Sequence, residues 1–174
     1  KVNHFDHGMY STSNNVEITG VKSGVTTTLN GSINSTATKL VLKSFAGFSS
    51  GSTHAGSGAI RVKIDNELFS GTLDGSTLTV SGRGTVGYGS TSGASVAHSD
   101  GATVELYMLF GVPLNEINKI HTSIADIEMD SYTIAISTGP TVTGSVSTIS
   151  AGGTDVFASE NYRYELFKTY VPNL

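Results

Sequence analysis

The chain has 174 residues, of which 37% are hydrophobic and 14% charged, with 21 glycines and a formal net charge of −4. That length suits one ordinary domain or two small ones, and the low charge argues against the usual disordered composition. The 10 Lys and Arg are scattered rather than gathered into the basic patch of a nucleic-acid binder, the absence of Cys excludes disulfide frameworks and thiolate zinc sites, and no apolar run approaches the ~20 residues that span a bilayer.

Ser and Thr make up about a quarter of the chain. Thr suits a pleated, half-buried surface, while Ser and Gly suit turns. Strong helix formers do not dominate, so long helices are not expected. A chain without cysteine suits synthesis in a reducing cytosol followed by work outside it. No signal-peptide pattern is present. The start at Lys1 points to a processed product or to one piece of a longer polypeptide.

In chain order, Val2 to Phe5 is a short strand candidate, Asp6-His7-Gly8 a turn, and residues 11–15 a polar loop. Val16 and Ile18 alternate with Glu17 and Thr19 as a half-buried strand does. Lys22-Ser23-Gly24 breaks the pattern. Thr27 to Leu29 is a short strand, Asn34 to Thr38 a turn, and Lys39 to Lys43 is apolar enough to be buried on both faces. A Gly/Ser-rich stretch follows Phe48 and reads as a flexible surface loop or a hairpin tip.

The most regular stretch runs from Ala59 to Val104. Ile60, Val62 and Ile64 lead into Asp65-Asn66, a turn pair. Glu67-Leu68-Phe69 leads to Asp74-Gly75, and Leu78-Thr79-Val80 leads to Arg83-Gly84. Apolar residues at every second position, punctuated by turn dipeptides, read as an antiparallel meander. A second Gly/Ser-rich stretch spans Gly87 to Ser95.

Beyond it, Ala102 to Met108 is a strand. Leu114, Ile117 and His121 have helical spacing, and Pro113 suits a helix start, so a short helical turn is expected there. Ile120, Thr122 and Ile124 place one strand with a common face over Ile120 to Glu128. Asp130-Ser131 is a turn and Tyr132 to Ser137 a strand. Val142 to Ile149, Val156 to Ala158 and Tyr162 to Tyr170 complete about a dozen short strands. Such spacing belongs to an all-β fold, an antiparallel β-sandwich or barrel.

Two groups of motifs carry a resemblance. Thr27–Val104 resembles a β module common in tail, fibre and baseplate-associated proteins of tailed bacteriophages. It matches at Ile64, Asp65, Glu67, Gly75, Leu78, Thr79, Arg83, Gly84, Ala97, His98, Gly101, Ala102 and Val104. It departs from that pattern at Phe69-Ser70-Gly71, where an aromatic-threonine pair is usual, and in the inserted Gly/Ser-rich stretch after Phe48. The flanks resemble a second phage virion module, through His7-Gly8-Met9, Val16-Glu17-Ile18-Thr19-Gly20, Pro113 with Ile117-Asn118 and His121, Asp130 with Tyr132-Thr133-Ile134, and Gly152-Gly153 with Val156. The Val-x-Ile-x-Gly and Ile-Asn-x-x-His parts of that pattern are usually close; here about ninety residues separate them. The two resemblances imply a nested arrangement: an outer β domain from residues 1–25 and 107–174, sandwich or barrel-like, with a small β meander domain, 26–106, inserted in one loop.

The candidate site residues have plain readings beside the chemical ones. His98, with Asp100 two residues on, has the types of an acid–base pair, but a catalytic base needs a nucleophile or substrate group beside it. The expectation is a turn histidine that pins the following strand through hydrogen bonds. His4, His7 and His121 make a metal site only if their strands adjoin, and i, i+3 on a strand puts His4 and His7 on opposite faces. Asp65, Glu67 and Asp74 form an acidic group such as glycosidases use, yet Asp65 and Asp74 occupy ordinary turn positions, and Glu67 has Lys63 and Arg83 as nearby cations. Arg83 between glycines lacks the ending and the helix of a phosphate loop. Tyr162, Tyr164, Leu166, Phe167 and Tyr170 fit a subunit interface as well as they fit a core.

The resemblance implies a non-enzymatic virion component, from the tail, the tail fibre or a fibre-attachment element, acting as a rigid β scaffold. It implies assembly in the host cytoplasm, residence in the virion, partners that are copies of itself and other virion proteins, and no cofactor, metal, nucleic acid or membrane insertion. Within the virion a capsid decoration protein is an alternative. A host-surface carbohydrate or receptor-binding module is another, but it needs an exposed aromatic platform that 8% aromatics without Trp make hard to build. A depolymerase fragment needs two carboxylates about 5 to 10 Å apart in a cleft.

Overall fold

The structure, a computed structural model, describes residues 2–3, 9, 15–49, 52, 55–56, 58–85, 95–137 and 155–158. In chain order these form β1 (Val2–Asn3), β2 (Val16–Thr19), β3 (Thr26–Thr28), β4 (Lys39–Val41), β5 (Ile60–Ile64), β6 (Glu67–Asp74), β7 (Thr77–Thr85) and β8 (Thr103–Leu106). Then come β9 (Met108–Leu109), β10 (Val112–Pro113), α1 (Leu114–Ile117), β11 (Ile120–His121), β12 (Ile124–Glu128), β13 (Ser131–Ile134) and β14 (Asp155–Ala158). The fold is all-β and antiparallel. Among the described residues no helix is long and apolar enough to cross a membrane. The described residues fall into two compact units, one within 22–116 and one made of segments within 1–21, 117–137 and 152–174.

The first unit is a six-stranded sheet in the order β3-β8-β5-β6-β7-β4. The expected alternation is there: Ile60, Val62 and Ile64 of β5, Phe69 of β6, Leu78 of β7, and Val104 and Leu106 of β8 are all buried on one face. Leu29, Leu40 and Leu42 join them, and Phe48 and Ala55 from the β4–β5 connection complete the core. Part of the first Gly/Ser-rich stretch is therefore packed against the sheet: Ala55 is 1% exposed. The sheet curls until its two end strands meet. Leu29 and Leu42 form a bridge, flanked by hydrogen bonds from Asn30 N to the Val41 carbonyl at 2.8 Å and from Lys43 N to the Thr28 carbonyl at 2.9 Å. This seam shields backbone groups that a sheet edge would otherwise leave open to other chains.

The first meander turn falls on its dipeptide, and the second falls one residue beyond Asp74-Gly75. Ile64 pairs with Glu67 around Asp65-Asn66, with Asp65 at φ 51°, and Asp74 pairs with Thr77 around Gly75-Ser76, with Gly75 at φ 54°. Both left-handed positions carry a residue type that tolerates them. The β6–β7 hairpin contains a bulge, because Ser70 pairs with Gly82 while Gly71 pairs with Val80, leaving Ser81 over. Bulges increase local twist, which suits a sheet that curls onto itself. At the bulge the strands approach closely: a Cβ on Gly71 would lie 2.1 Å from the Thr79 carbonyl oxygen.

The second unit holds two three-stranded sheets, β11-β2-β14 and β1-β13-β12. Val16 and Ile18 of β2, Ile124 of β12 and Tyr132 of β13 are buried.

Three expectations differ from what is observed. Lys39–Lys43 is covered on one face only: Leu40 is buried while Val41 is 36% exposed, because β4 ends a sheet whose core lies on one side. Ile120–Glu128 is two strands in two sheets, since Ile120 pairs with Glu17 of β2 and Ile124 with Ile134 of β13. The common face is lost with the change of sheet; Ile120 is 48% exposed and Ile124 buried. Finally, the strand expected over Ala102 to Met108 stops at Leu106, and Met108 to Pro113 forms a β9–β10 hairpin ahead of the expected helical turn at Leu114–Ile117. Its turn pair, Phe110-Gly111, has φ 54° and 78°, the conformation that Asn-Gly usually announces. Phe at the first position concealed it. The strand candidates Val142–Ile149 and Tyr162–Tyr170 lie outside the described residues.

Candidate functional site

Four polar residues of the first motif set converge on one point of the six-stranded sheet. Asp65 is in the β5–β6 turn. Glu67 occupies the first inward position of β6, two residues before Phe69. Arg83 of β7 is paired with Phe69, so it shares that residue's face. His98 enters from the β7–β8 connection, where its backbone N and O exchange 2.9 Å hydrogen bonds with Ile33.

Glu67 is 1% exposed, on a face that is mostly apolar. A carboxylate survives there only if its lone pairs are met, and they are. Arg83 grips it with two bonds, Nε to Oε1 at 2.7 Å and Nη2 to Oε2 at 3.0 Å. The Val96 amide donates to Oε2 at 3.2 Å, and His98 Nε2 lies 2.8 Å from the same oxygen. Burial, the largest single influence on the carboxyl, raises its pKa, but the hydrogen bonds from Arg83, His98 and Val96 together outweigh it and hold the value at about 2.

Arg83 spends its remaining donors on three carbonyls: Nη1 to Asn34 at 3.0 Å and Ala37 at 3.3 Å, and Nη2 to Val96 at 2.7 Å. All five guanidinium N–H groups thus have acceptors. The guanidinium carbon also sits 4.7 Å from the centre of the Phe69 ring, within cation–π reach. His98 packs edge-on to the same ring, with centroids 5.8 Å apart, and its Nδ1 lies 2.9 Å from Oδ2 of Asp65. Both ring nitrogens therefore face carboxylate oxygens.

This network ties the β3–β4 connection, the β5–β6 turn and the β7–β8 connection to the central hairpin. Its chemistry is that of a clasp: the Glu67 and His98 side chains are 0% and 1% exposed, and their polar atoms are engaged with one another. The exposed member is the Asp65 carboxylate, whose side chain is 72% accessible.

The sequence candidates divide accordingly. Arg83, rather than Lys63, is the cation on Glu67, and Lys63 sits opposite Glu105 instead. The carboxylate partners of His98 are Asp65 and Glu67, while Asp100 accepts from the Gly31 amide at 2.7 Å. The acidic group comes apart, since Asp74 lies at the far turn of the β6–β7 hairpin. His121 is buried, and its Nε2 donates to the Ile117 carbonyl at 2.8 Å. His4 and His7, and the interface candidates Tyr162, Tyr164, Leu166, Phe167 and Tyr170, lie outside the described residues. Among the described residues no cluster of three or more His, Asp or Glu is placed to hold a metal ion. The carbonyls of Asn34, Ala37 and Val96, which complete the clasp, were invisible in the sequence because every residue has one.

Described residues of the second motif set are likewise engaged with backbone. Its two halves, about ninety residues apart in the chain, meet directly. Val16 pairs with His121 and Glu17 with Ile120. The Asn118 side chain grips the Val21 backbone at both ends, its Oδ1 accepting from the amide and its Nδ2 donating to the carbonyl, each at 2.9 Å.

No family model, curated protein or solved structure matches this chain.

Proposed function

We propose that this chain is a non-enzymatic structural component of a bacteriophage virion, from the tail, the tail fibre or a fibre-attachment element, serving as a rigid β scaffold. The observation that supports this reading most is the use made of the motif residues. Asp65, Glu67, Arg83 and His98, which carry the phage-module resemblance, are bound to one another and to the backbone of two connections. Asn118 and His121 of the second set do the same in their own unit. Residues consumed in this way set shape and stiffness, which a load-bearing particle component requires. The nested domain arrangement belongs to the same proposal, as does a subunit interface made by Tyr162, Tyr164, Leu166, Phe167 and Tyr170, within the segment Tyr162–Leu174.

The test is the solution mass of the chain by light scattering, repeated on a chain lacking Tyr162–Leu174. A discrete oligomer that falls to monomer on truncation is the expected outcome. A monodisperse monomer in both forms refutes self-assembly through that segment and moves weight to a receptor-binding module, examined next by binding to host-surface glycans.

A further inference from the structure

The chain contains one Asn-Gly dipeptide, Asn30-Gly31, and the fold places it at the seam of the curled sheet. We propose that Asn30 is a latent deamidation site that the carboxylate of Asp100 holds silent. The reaction is intramolecular. The backbone nitrogen of Gly31 loses its proton and attacks the side-chain amide carbon of Asn30. A C–N bond forms, ammonia leaves, and a five-membered succinimide results. Water then opens the ring to aspartate or, through the other carbonyl, to isoaspartate. Gly after Asn makes the attack sterically easy, and this pair is exposed. Crowding does not protect it either, since a Cβ built on Gly31, at φ 96°, would meet nothing within 4 Å.

What opposes the reaction is one hydrogen bond. The nitrogen that must attack donates its proton to Asp100 Oδ1 at 2.7 Å. Removing that proton would put a negative nitrogen beside a negative carboxylate, and the bond fixes the N–H direction as well. Asp100 is itself seated: Lys43 Nζ is 3.8 Å from the same oxygen, and the Gly31 amide, ahead of Lys43, holds the carboxyl below its ordinary range, so it stays ionised. The location gives the chemistry a consequence. Asn30 N donates across the seam to Val41, next to the Leu29–Leu42 bridge. Isoaspartate would insert a methylene into the backbone there and displace that bond.

The experiment follows conversion at Asn30 by peptide mapping with mass spectrometry, in mildly alkaline buffer at constant temperature. It compares the native chain, the urea-denatured chain, D100A and D100N. Hydrogen exchange of the Gly31 amide is measured by NMR, and circular dichroism reports folding. A hydrogen bond to a charged acceptor supports a protection of about tenfold or more. The native chain is therefore expected to convert about tenfold more slowly than the denatured one, with D100A recovering most of that difference while keeping the native spectrum, and D100N, which keeps the acceptor oxygen without its charge, falling between. Conversion equally fast in the native and denatured chains overturns the proposal. So does a folded D100A or D100N that converts no faster than the native chain, or slower, the latter meaning that Asp100 acts as a base.

Discussion

Replacing Glu67 with Gln tests whether the buried carboxylate holds its unit together through charge. The substitution keeps shape and volume but removes the charge, and it turns one oxygen into an amide that cannot accept from Arg83 or His98. The folded pKa of Glu67 is about 2, against an ordinary 4.5, a difference that corresponds to about 3 kcal/mol of stability. The sign follows from the direction of the shift. A carboxylate with a depressed folded pKa stabilises fully above its unfolded value and loses that contribution as pH falls from about 4.5 toward 2. E67Q is therefore expected to cost about 3 kcal/mol at neutral pH, a large share of the stability of a typical domain. That cost should shrink progressively below about pH 4.5 and nearly vanish near pH 2. Urea unfolding at a series of pH values is the assay, read from the amide resonances of Val62 and Ile64, which report the six-stranded sheet rather than the whole chain. Two results refute the reasoning: a loss at neutral pH below about 1 kcal/mol, the range of an exposed ion pair, or a loss that stays constant down to pH 2.

Gly71→Ala would set a methyl 2.1 Å from the Thr79 carbonyl oxygen, so the β6–β7 bulge must shift, at a cost of about 2 kcal/mol or more. Gly75→Ala, in open space but at φ 54°, should cost about 1 kcal/mol; equal losses for the two in urea denaturation would contradict the close approach at the bulge. Burial pushes the Tyr132 hydroxyl up to about 12 and raises that of Tyr107 as well, with Glu105 adding to the latter. An alkaline titration followed by ultraviolet absorbance should therefore show tyrosines that ionise well after the ordinary value near 10; a single uniform step there would contradict the packing of both rings.

Legibility in the sequence followed the range of the interaction involved. The meander from Ile60 to Val80 was legible because alternation and turn chemistry act between neighbours. Asp65-Asn66 and Asp74-Gly75 mark turns by their own conformational tolerance, whatever lies across the sheet. The β9–β10 hairpin was illegible for the same reason in reverse, since Phe110 holds a positive φ that no local rule assigns to it. Glu67 was legible as an ion-pair member and illegible as a buried one. Its alternation with Phe69 placed it inward, but polarity argued against reading it so. Only the arrival of Arg83, Val96 and His98 makes that position tolerable.

By itself the sequence determined the all-β class, the meander with its turns, and the pairing of Glu67 with a cation, because these rest on two-residue periodicity, turn propensity and short-range charge. The tertiary structure alone decided three further things. The end strands of the sheet meet at Leu29 and Leu42. The two halves of the second motif set join across about ninety residues. Four scattered polar residues become one clasp. Each of these depends on which distant backbone arrives beside a given side chain. Strand curl and long-range register set that geometry, and no local pattern of residue types encodes it.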